Sequence, residues 1–186
     1  MNGEQEGISE VFERAEREFL MSKIKVKMRM AVENLDAGDY RLDSLAEGQS
    51  LELPRWIVEE LVELKLAEPQ EEHFEDELSR ALSKEKMMGP LQLSILPPEF
   101  YMRMRRRLVS MAGGSLSGTE KEDFERIRKA CYDIIGMRLS KLLSLSSSSS
   151  QGSSLTDRLA PEEEAFFSVS QSLSKEWRAA LLGRAM

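Results

Sequence analysis

Residues 119–145, TEKEDFERIRKACYDIIGMRLSKLLSL, form the longest helical pattern in this chain of 186 residues. Their apolar side chains recur every three or four positions, which is the period of one face of an α-helix. Thr119 and Glu122 fit a capping box, in which both side chains bind backbone N–H groups at the helix start. Such a helix spans about 40 Å at roughly 1.5 Å per residue. Because a small domain rarely buries so long a stripe alone, we expect it to pack on other helices or on another subunit.

The apolar stripe of this segment is Phe124, Ile127, Cys131, Ile134, Ile135, Leu139, Leu142 and Leu143.

Besides a short helix in the β-rich region, four other segments have helical periodicity. They are residues 9–20, 74–88, 99–111 and a final segment that starts at Pro161 and stops at Gly183. A proline and three glutamates at the start of the last one suit the first turn of a helix and its dipole. The serine-rich residues 144–157 between the last two helices predict a flexible loop.

The first third of the chain has a different period. Apolar residues alternate with Lys25, Lys27 and Arg29 over residues 24–32, which predicts a half-exposed strand of an antiparallel sheet. The basic face could bind a polyanion. Alternatively it is a solvated sheet face, or an edge strand that its lysines protect from aggregation, and we favour these structural interpretations.

A small β-rich module accounts for the rest of this region. We expect a turn at residues 34–39, short strands at 40–45 and 50–53, and a helix over 54–65. A last short strand follows at residues 66–68.

The domain organisation follows from these segments. We predict an N-terminal helix in residues 1–21, a small β-rich domain in residues 22–68, a linker in residues 69–77 and a helical domain in residues 78–186 that includes the loop 144–157. The fold class is therefore mainly α: a C-terminal antiparallel helical bundle, preceded by a small β-rich module with one short helix.

The charge is acidic overall but uneven. The net charge of −7 argues against a general polyanion binder, since cations dominate binding to nucleic acid. Residues 99–141 nevertheless hold 10 Lys/Arg against 6 Asp/Glu, a net charge of +4, which leaves −11 on the remainder. A basic middle on an acidic chain suits docking to specific partners.

Four arginines, Arg103 and Arg105–Arg107, lie on the segment 99–111. Helical spacing spreads them over more than one side, so we expect some to pair with acidic residues of neighbouring subunits and others to face solvent. A phosphate-binding cluster is the alternative, which makes all four candidate partner or DNA contacts.

No pattern indicates catalysis or a bound cofactor or metal. Phosphate-loop, dinucleotide-binding, zinc-ligand and GxSxG spacings are absent from the sequence. The single cysteine, Cys131, fits a buried apolar position, and the single histidine, His73, lies in a solvated acidic run. We therefore expect a non-enzyme without cofactors. One cysteine, a polar acidic N-terminus and the lack of a long apolar run predict a cytoplasmic protein without a membrane span.

Three motifs of the helical half resemble those of GINS subunits, the tetrameric replication factors of archaea and eukaryotes. Residues 96–101, LPPEFY, resemble the signature Leu-Pro-x-(Asp/Glu)-Phe-Tyr. Residues 138–142, RLSKL, are similar to the Arg-x-x-Lys-(Ile/Leu) step of the long GINS helix. Residues 159–163, LAPEE, resemble the Leu-(Ser/Thr)-Pro-Glu-Glu start of the final helix.

The likeness extends over residues 22–182, because residues 48–56 and 61–68 look like the β-rich domain of the same family. The helical motifs look most like the subunit group that places its helical domain first, whereas here the small module comes first. Which paralogue this is, and whether the oligomer contains one or two kinds of chain, therefore stays open.

The resemblance implies a non-catalytic scaffold of archaeal type. GINS joins the Mcm ring helicase with a Cdc45- or RecJ-like partner in the active replicative helicase (CMG), and its long helices pack between the subunits of a tetramer. This implies a cytoplasmic, nucleoid-associated protein in an archaeon or a nuclear one in a eukaryote. A direct nucleic-acid-binding accessory protein, using the basic helix 99–111, is the alternative. The expected subunit-interface residues are Phe100, Tyr101, Met104, Phe124, Ile127, Phe166, Phe167 and Trp177.

Overall fold

The computed structural model describes residues 7–38, 40–113, 117–148 and 155–183, and these ranges contain six α-helices and five strands. The helices are α1 (Ile8–Met21), α2 (Arg55–Glu63), α3 (Phe74–Met87), α4 (Phe100–Ala112), α5 (Gly118–Ser147) and α6 (Pro161–Leu182). The strands are β1 (Lys23–Met28), β2 (Val32–Ala37), β3 (Tyr40–Leu45), β4 (Ser50–Pro54) and β5 (Ala67–Pro69). A 3-10 turn, Thr156–Arg158, precedes α6.

The chain divides into two compact units. One consists of residues 16–72 and contains all five strands; the other consists of residues 1–15 and 73–186 and is helical. This architecture confirms the predicted fold class, a helical bundle that follows a small strand-rich module with one short helix.

The strand unit is built on an antiparallel sheet of order β4-β1-β5. Alternate residues of β1 are buried and the lysines between them are exposed, as the period of two predicts. Since β1 is the central strand, the interpretation as a protected edge is wrong. Lys25 lies opposite Glu52 and Lys27 opposite Glu68, so neighbouring carboxylates balance the basic face, as on a solvated sheet surface.

The predicted turn at residues 34–39 is wrong over most of its length. Residues 32–37 form β2, which pairs with β3 in a separate two-stranded antiparallel sheet. The chain reverses only after Ala37, where Gly38 adopts a φ of +64° that favours glycine. Cross-strand pairing thus outweighs the turn preference of the Asn and Asp residues in this segment.

Arg55, the first residue of α2, is a buried cation of the strand unit that the sequence did not reveal. It donates two hydrogen bonds to the carboxylate of Glu71, at 2.7 and 2.8 Å. Its guanidinium also lies 4.1 Å from the centre of the Phe19 ring, within the range of a cation–π contact. The bidentate pair explains how an arginine can be buried here.

The core of the helical unit lies between α3, α4 and α5 and includes Phe74, Leu78, Phe100 and Ile134. Helix α4 runs antiparallel to α5, because its end lines the same depression as Phe124, near the start of α5. Helix α6 runs in the same direction as α5, so the predicted antiparallel arrangement does not hold for this pair. Its first turn contacts the middle of α5, and Arg178 near its end donates to the carbonyl of Ser147.

Both ends of α5 differ from the prediction. The helix is capped by Ser117 and Glu120, whose carboxylate accepts from the Ser117 N–H at 2.9 Å and from the Ser117 hydroxyl at 2.6 Å. The predicted pair, Thr119 and Glu122, is wrong by two residues. The helix also continues through Ser147, so the start of the serine-rich run is helical. Serine hydroxyls there donate to carbonyls of the preceding turn, which lets serines extend a helix.

Candidate interaction surfaces

A buried charge network lies at the centre of the helical unit, around Arg138 of α5. This side chain is 1% exposed. Its Nε and Nη2 bind the two carboxylate oxygens of Glu163, the latter at 2.6 Å, while Nη1 donates to Glu85 Oε2 at 2.8 Å and to the Ser94 carbonyl at 2.9 Å. Bidentate pairing with one carboxylate and a single bond to another uses most of the donors of the guanidinium.

Glu85 of α3 is the second centre of the network and is fully buried. Lys141 donates to its Oε1 at 2.6 Å, and the Ser94 hydroxyl and N–H donate to Oε2 at 2.6 and 3.0 Å. Burial alone would raise the pKa of Glu85. The hydrogen bonds from Lys141 and Ser94 and the charge of Arg138 outweigh that effect and lower it.

Tyr101 of α4 completes the network by donating from its hydroxyl to Glu163 Oε1 at 2.6 Å. Burial and the negative charge of Glu163 raise the pKa of Tyr101, so the hydroxyl keeps its proton. Two cations, Arg138 and Lys141, thus balance two carboxylates. The network joins four helices to one another and leaves no reactive group open to solvent, so its role is structural.

The network explains the sequence motifs quoted above. Tyr101, Arg138 with Lys141, and Glu163 come from the three helical motifs, and the fold brings them into one cluster. Glu85 was missed by sequence reasoning. It lies between Lys84 and Lys86 on a charged helix, and no local pattern distinguishes a buried glutamate there from an exposed one.

The four arginines of α4 have different surroundings. Arg103 forms an ion pair with the buried Glu77, and Arg107 donates to Glu75 at 2.7 Å, so α3 balances both charges within the chain. Arg105 is exposed and Arg106 is half-buried. The four guanidinium groups therefore do not share one environment.

The eight residues expected at a subunit interface differ in how deeply the chain itself buries them. Phe100, Met104 and Ile127 lie in the core of the helical unit, and Tyr101 belongs to the charge network. Phe124, Phe166 and Phe167 are half-buried. Trp177 is 65% exposed.

Exposed apolar side chains form two surfaces on the helical unit, besides others such as Met87, Leu91 and Ile95 at the end of α3 and after it. We call the first the α6 face; it consists of Val169, Leu173, Trp177 and Leu181, at intervals of four residues along one side of α6. The second, the α4–α5 groove, runs between these two helices and is lined by residues that include Leu108, Val109, Ile135 and Leu139. The predicted stripe of α5 is thus divided between the core of the chain and this groove.

His73 and Cys131 do not form a site together. His73 is exposed at the start of α3, whereas Cys131 is buried in the helical core, where burial raises its pKa to about 11. Among the residues that the structure describes, no three His, Cys, Asp or Glu side chains are placed to hold a metal ion. Within the same ranges, no helix is long and apolar enough to cross a membrane.

The fold and these surfaces define a helical-bundle subunit with apolar faces that its own chain leaves exposed. The family model of the GINS complex protein helical bundle domain matches residues 58–182, from α2 to the end of α6. The chain therefore belongs to the GINS family. This confirms the resemblance and makes the chain a replication-associated subunit of a non-catalytic family whose members interact with other GINS subunits. No curated protein matches the chain.

Proposed function

We propose that this chain is a non-catalytic scaffold subunit of a GINS tetramer that links the Mcm helicase with a Cdc45- or RecJ-like partner during DNA replication. The α6 face supports this proposal most directly. Leu173, Trp177 and Leu181 are each about two-thirds exposed, and exposed apolar patches with an aromatic residue are typical of protein interfaces. A cytoplasmic, nucleoid-associated location in an archaeon, or a nuclear one in a eukaryote, belongs to the same proposal.

Light scattering of the purified chain after size exclusion tests the assembly. We expect a dimer or tetramer at micromolar concentration if the chain assembles with itself, and a tetramer once a sibling subunit is added if two kinds of chain are needed. A monomer under both conditions contradicts the scaffold. The predicted division into domains at residues 22–68 and 78–186 belongs to this proposal, since the helical domain would form the subunit contacts.

The partner assignment needs a separate experiment. Tagged chain, assembled with its sibling subunits, is incubated with purified Mcm and with a RecJ-like nuclease, singly and together. We expect both to be retained, and helicase activity to rise when all components are present. If an intact tetramer retains neither protein, the chain assembles as proposed but does not link these two partners at the replication fork.

Direct binding to nucleic acid through α4 is a second candidate, and the exposed position of Arg105 is the observation that favours it. The pairing of Arg103 and Arg107 with α3 leaves fewer charges for phosphate than the sequence suggests. The candidate predicts DNA binding that falls steeply with salt and weakens in an R105A/R106A double variant. Unchanged binding in that variant excludes α4 as the contact.

A further inference from the structure

The three glutamates at the start of α6 have three different environments. Glu163 is buried and is bound by Arg138 and by the Tyr101 hydroxyl. Glu164 is exposed. Glu162 is only 8% exposed and lines the deeper part of the α4–α5 groove, which encloses about 470 Å³. It is therefore a nearly buried carboxylate beside an open apolar surface.

Glu162 has no counter-charge from its own chain within the described ranges. Its carboxylate forms no ion pair there and accepts no hydrogen bond from another residue. Arg105 lines the same part of the groove but does not pair with it. The donors of Arg138 bind Glu163, Glu85 and backbone carbonyls instead. Burial and the negative charge of Glu163 raise the pKa of Glu162.

The start of α6 does not explain why this carboxylate is buried. A helix N-terminus favours a negative charge, and the N–H of Glu162 itself contributes to this effect. Glu164 lies in the same turn and gains the same effect while it stays exposed. A buried carboxylate without a cation is costly, because little water solvates it and no other group replaces that water. A cation from outside the chain would remove this cost.

The groove beside Glu162 is a surface that the chain itself leaves uncovered. Val109, Ile135 and Leu139 are 64%, 40% and 40% exposed there. A protein that packs on these side chains also removes the remaining water from the carboxylate. It must then supply a positive charge, or the contact loses free energy. Lysine and arginine suit this position, because their aliphatic stems pack on apolar walls while the charged end reaches an anion.

We propose that a neighbouring subunit packs on the α4–α5 groove and places a lysine or arginine side chain against Glu162. The occupant is thus an apolar subunit surface that contains a basic residue. An acidic or uncharged surface would leave the carboxylate unpaired inside the contact. The inference rests on the proposed assembly and extends it, because it assigns a subunit contact to the groove and names the residue that makes this contact selective.

Glu162→Gln tests the ion pair, and Glu164→Gln is the matched control. Both changes remove one negative charge from the first turn of α6, but Glu164 is exposed and does not line the groove. Sedimentation equilibrium of the assembled chain, with its sibling subunit where one is required, measures the dissociation constant. We expect Glu162→Gln to raise this constant about tenfold or more, since a buried cation of the neighbour loses its partner. Glu164→Gln should change it by less than about twofold.

An apolar replacement distinguishes the ion pair from a simple apolar contact. Glu162→Leu should weaken assembly at least as much as Glu162→Gln does, although leucine matches the apolar walls of the groove. Thermal unfolding at a concentration below the dissociation constant checks the chain itself. Glu162→Gln should unfold at the temperature of Glu164→Gln or above it, because the change removes a buried charge that has no cation in its own chain.

Three results would overturn the inference while the assembly stands. The first is a dissociation constant that Glu162→Gln or Glu162→Leu leaves unchanged or lowers, which would mean that an uncharged surface covers the groove. The second is an equal effect of Glu162→Gln and Glu164→Gln. The third is weaker assembly together with a lower unfolding temperature, which would make Glu162 a structural residue of its own chain. A wild-type chain that stays monomeric with and without its sibling contradicts the proposed function itself, so the two failures are distinguishable.

Discussion

Arg138 lies at the centre of the buried charge network of the helical unit. Burying a charge is costly unless partners replace its water, and here Glu85, Glu163 and a backbone carbonyl do so. Replacing it by methionine keeps much of the volume but leaves two buried carboxylates with fewer partners. We expect Arg138→Met to lower the free energy of unfolding by about 3–5 kcal/mol, measured by urea denaturation.

The control for that prediction is Arg126→Met. Arg126 also contacts a carboxylate, that of Asp123, but both side chains are mostly exposed, so its loss should cost less than about 1 kcal/mol. Equal losses in the two variants would mean that the buried network adds nothing to stability beyond an ordinary surface pair.

Glu85 makes the stability of the folded protein depend on pH, and the direction of its pKa shift gives the sign of this dependence. Its pKa in the folded protein lies below the ordinary value of 4.5, so the folded state holds its proton less tightly than the unfolded state. The ionised carboxylate of Glu85 therefore contributes its full stabilisation of the folded state above pH 4.5. This contribution is lost as the pH falls through the lower pKa of the folded protein. In thermal unfolding, Glu85→Gln should be less stable than wild type at pH 7, with the difference shrinking in acid. A constant difference at all pH values would contradict this assignment.

Cys131 should be inert while the protein is folded. Burial raises its pKa to about 11, so almost no thiolate exists at neutral pH, and the thiolate is the reactive form. We expect iodoacetamide to modify Cys131 at pH 8 only after denaturant is added, with mass spectrometry as the measurement. Labelling of the native protein at the rate of a free thiol would show that α5 opens locally.

At the scale of one element, α5 depends on its start. The Glu120 carboxylate accepts from the Ser117 N–H, which would otherwise lack a partner, and the Ser117 hydroxyl donates to the same carboxylate at 2.6 Å and holds it in place. We expect Ser117→Ala to cost about 1 kcal/mol of stability. Thr119→Ala, at the cap position that the sequence pattern predicts, should change stability by less than about 0.5 kcal/mol. A larger loss of stability in Thr119→Ala than in Ser117→Ala would show that Thr119 caps the helix.

The same helix shows what sequence can and cannot predict. The period of apolar residues was enough to predict α5, and proline and glutamates were enough to predict the start of α6, because both signals are local. The period could not tell that Ile134 faces the core of the chain while Leu139 lines an open groove. That difference depends on where α4 lies, and so does the partnership of Glu85 with Arg138, which are 53 residues apart.

At the scale of the whole molecule, the α6 face connects the structure to the proposed assembly. A tryptophan at the centre of an interface commonly contributes about 2 kcal/mol or more to binding, which corresponds to roughly thirtyfold in affinity. We therefore expect Trp177→Ala to raise the dissociation constant of the oligomer by about that factor, measured by sedimentation equilibrium. Leu173→Asp, which places a charge in the same face, should yield monomer at micromolar concentration.

Lys175→Asp is the matched control, because it introduces the same carboxylate on α6 at an exposed position that the α6 face does not include. It should leave the oligomer intact. All three variants should keep the helical circular dichroism spectrum of the wild type, since none of these side chains is buried in the chain itself. If Trp177→Ala and Leu173→Asp assemble as wild type does, the subunit contact lies elsewhere on the helical unit. The α4–α5 groove would then be the first surface to examine, because Val109, Ile135 and Leu139 are exposed there along two neighbouring helices.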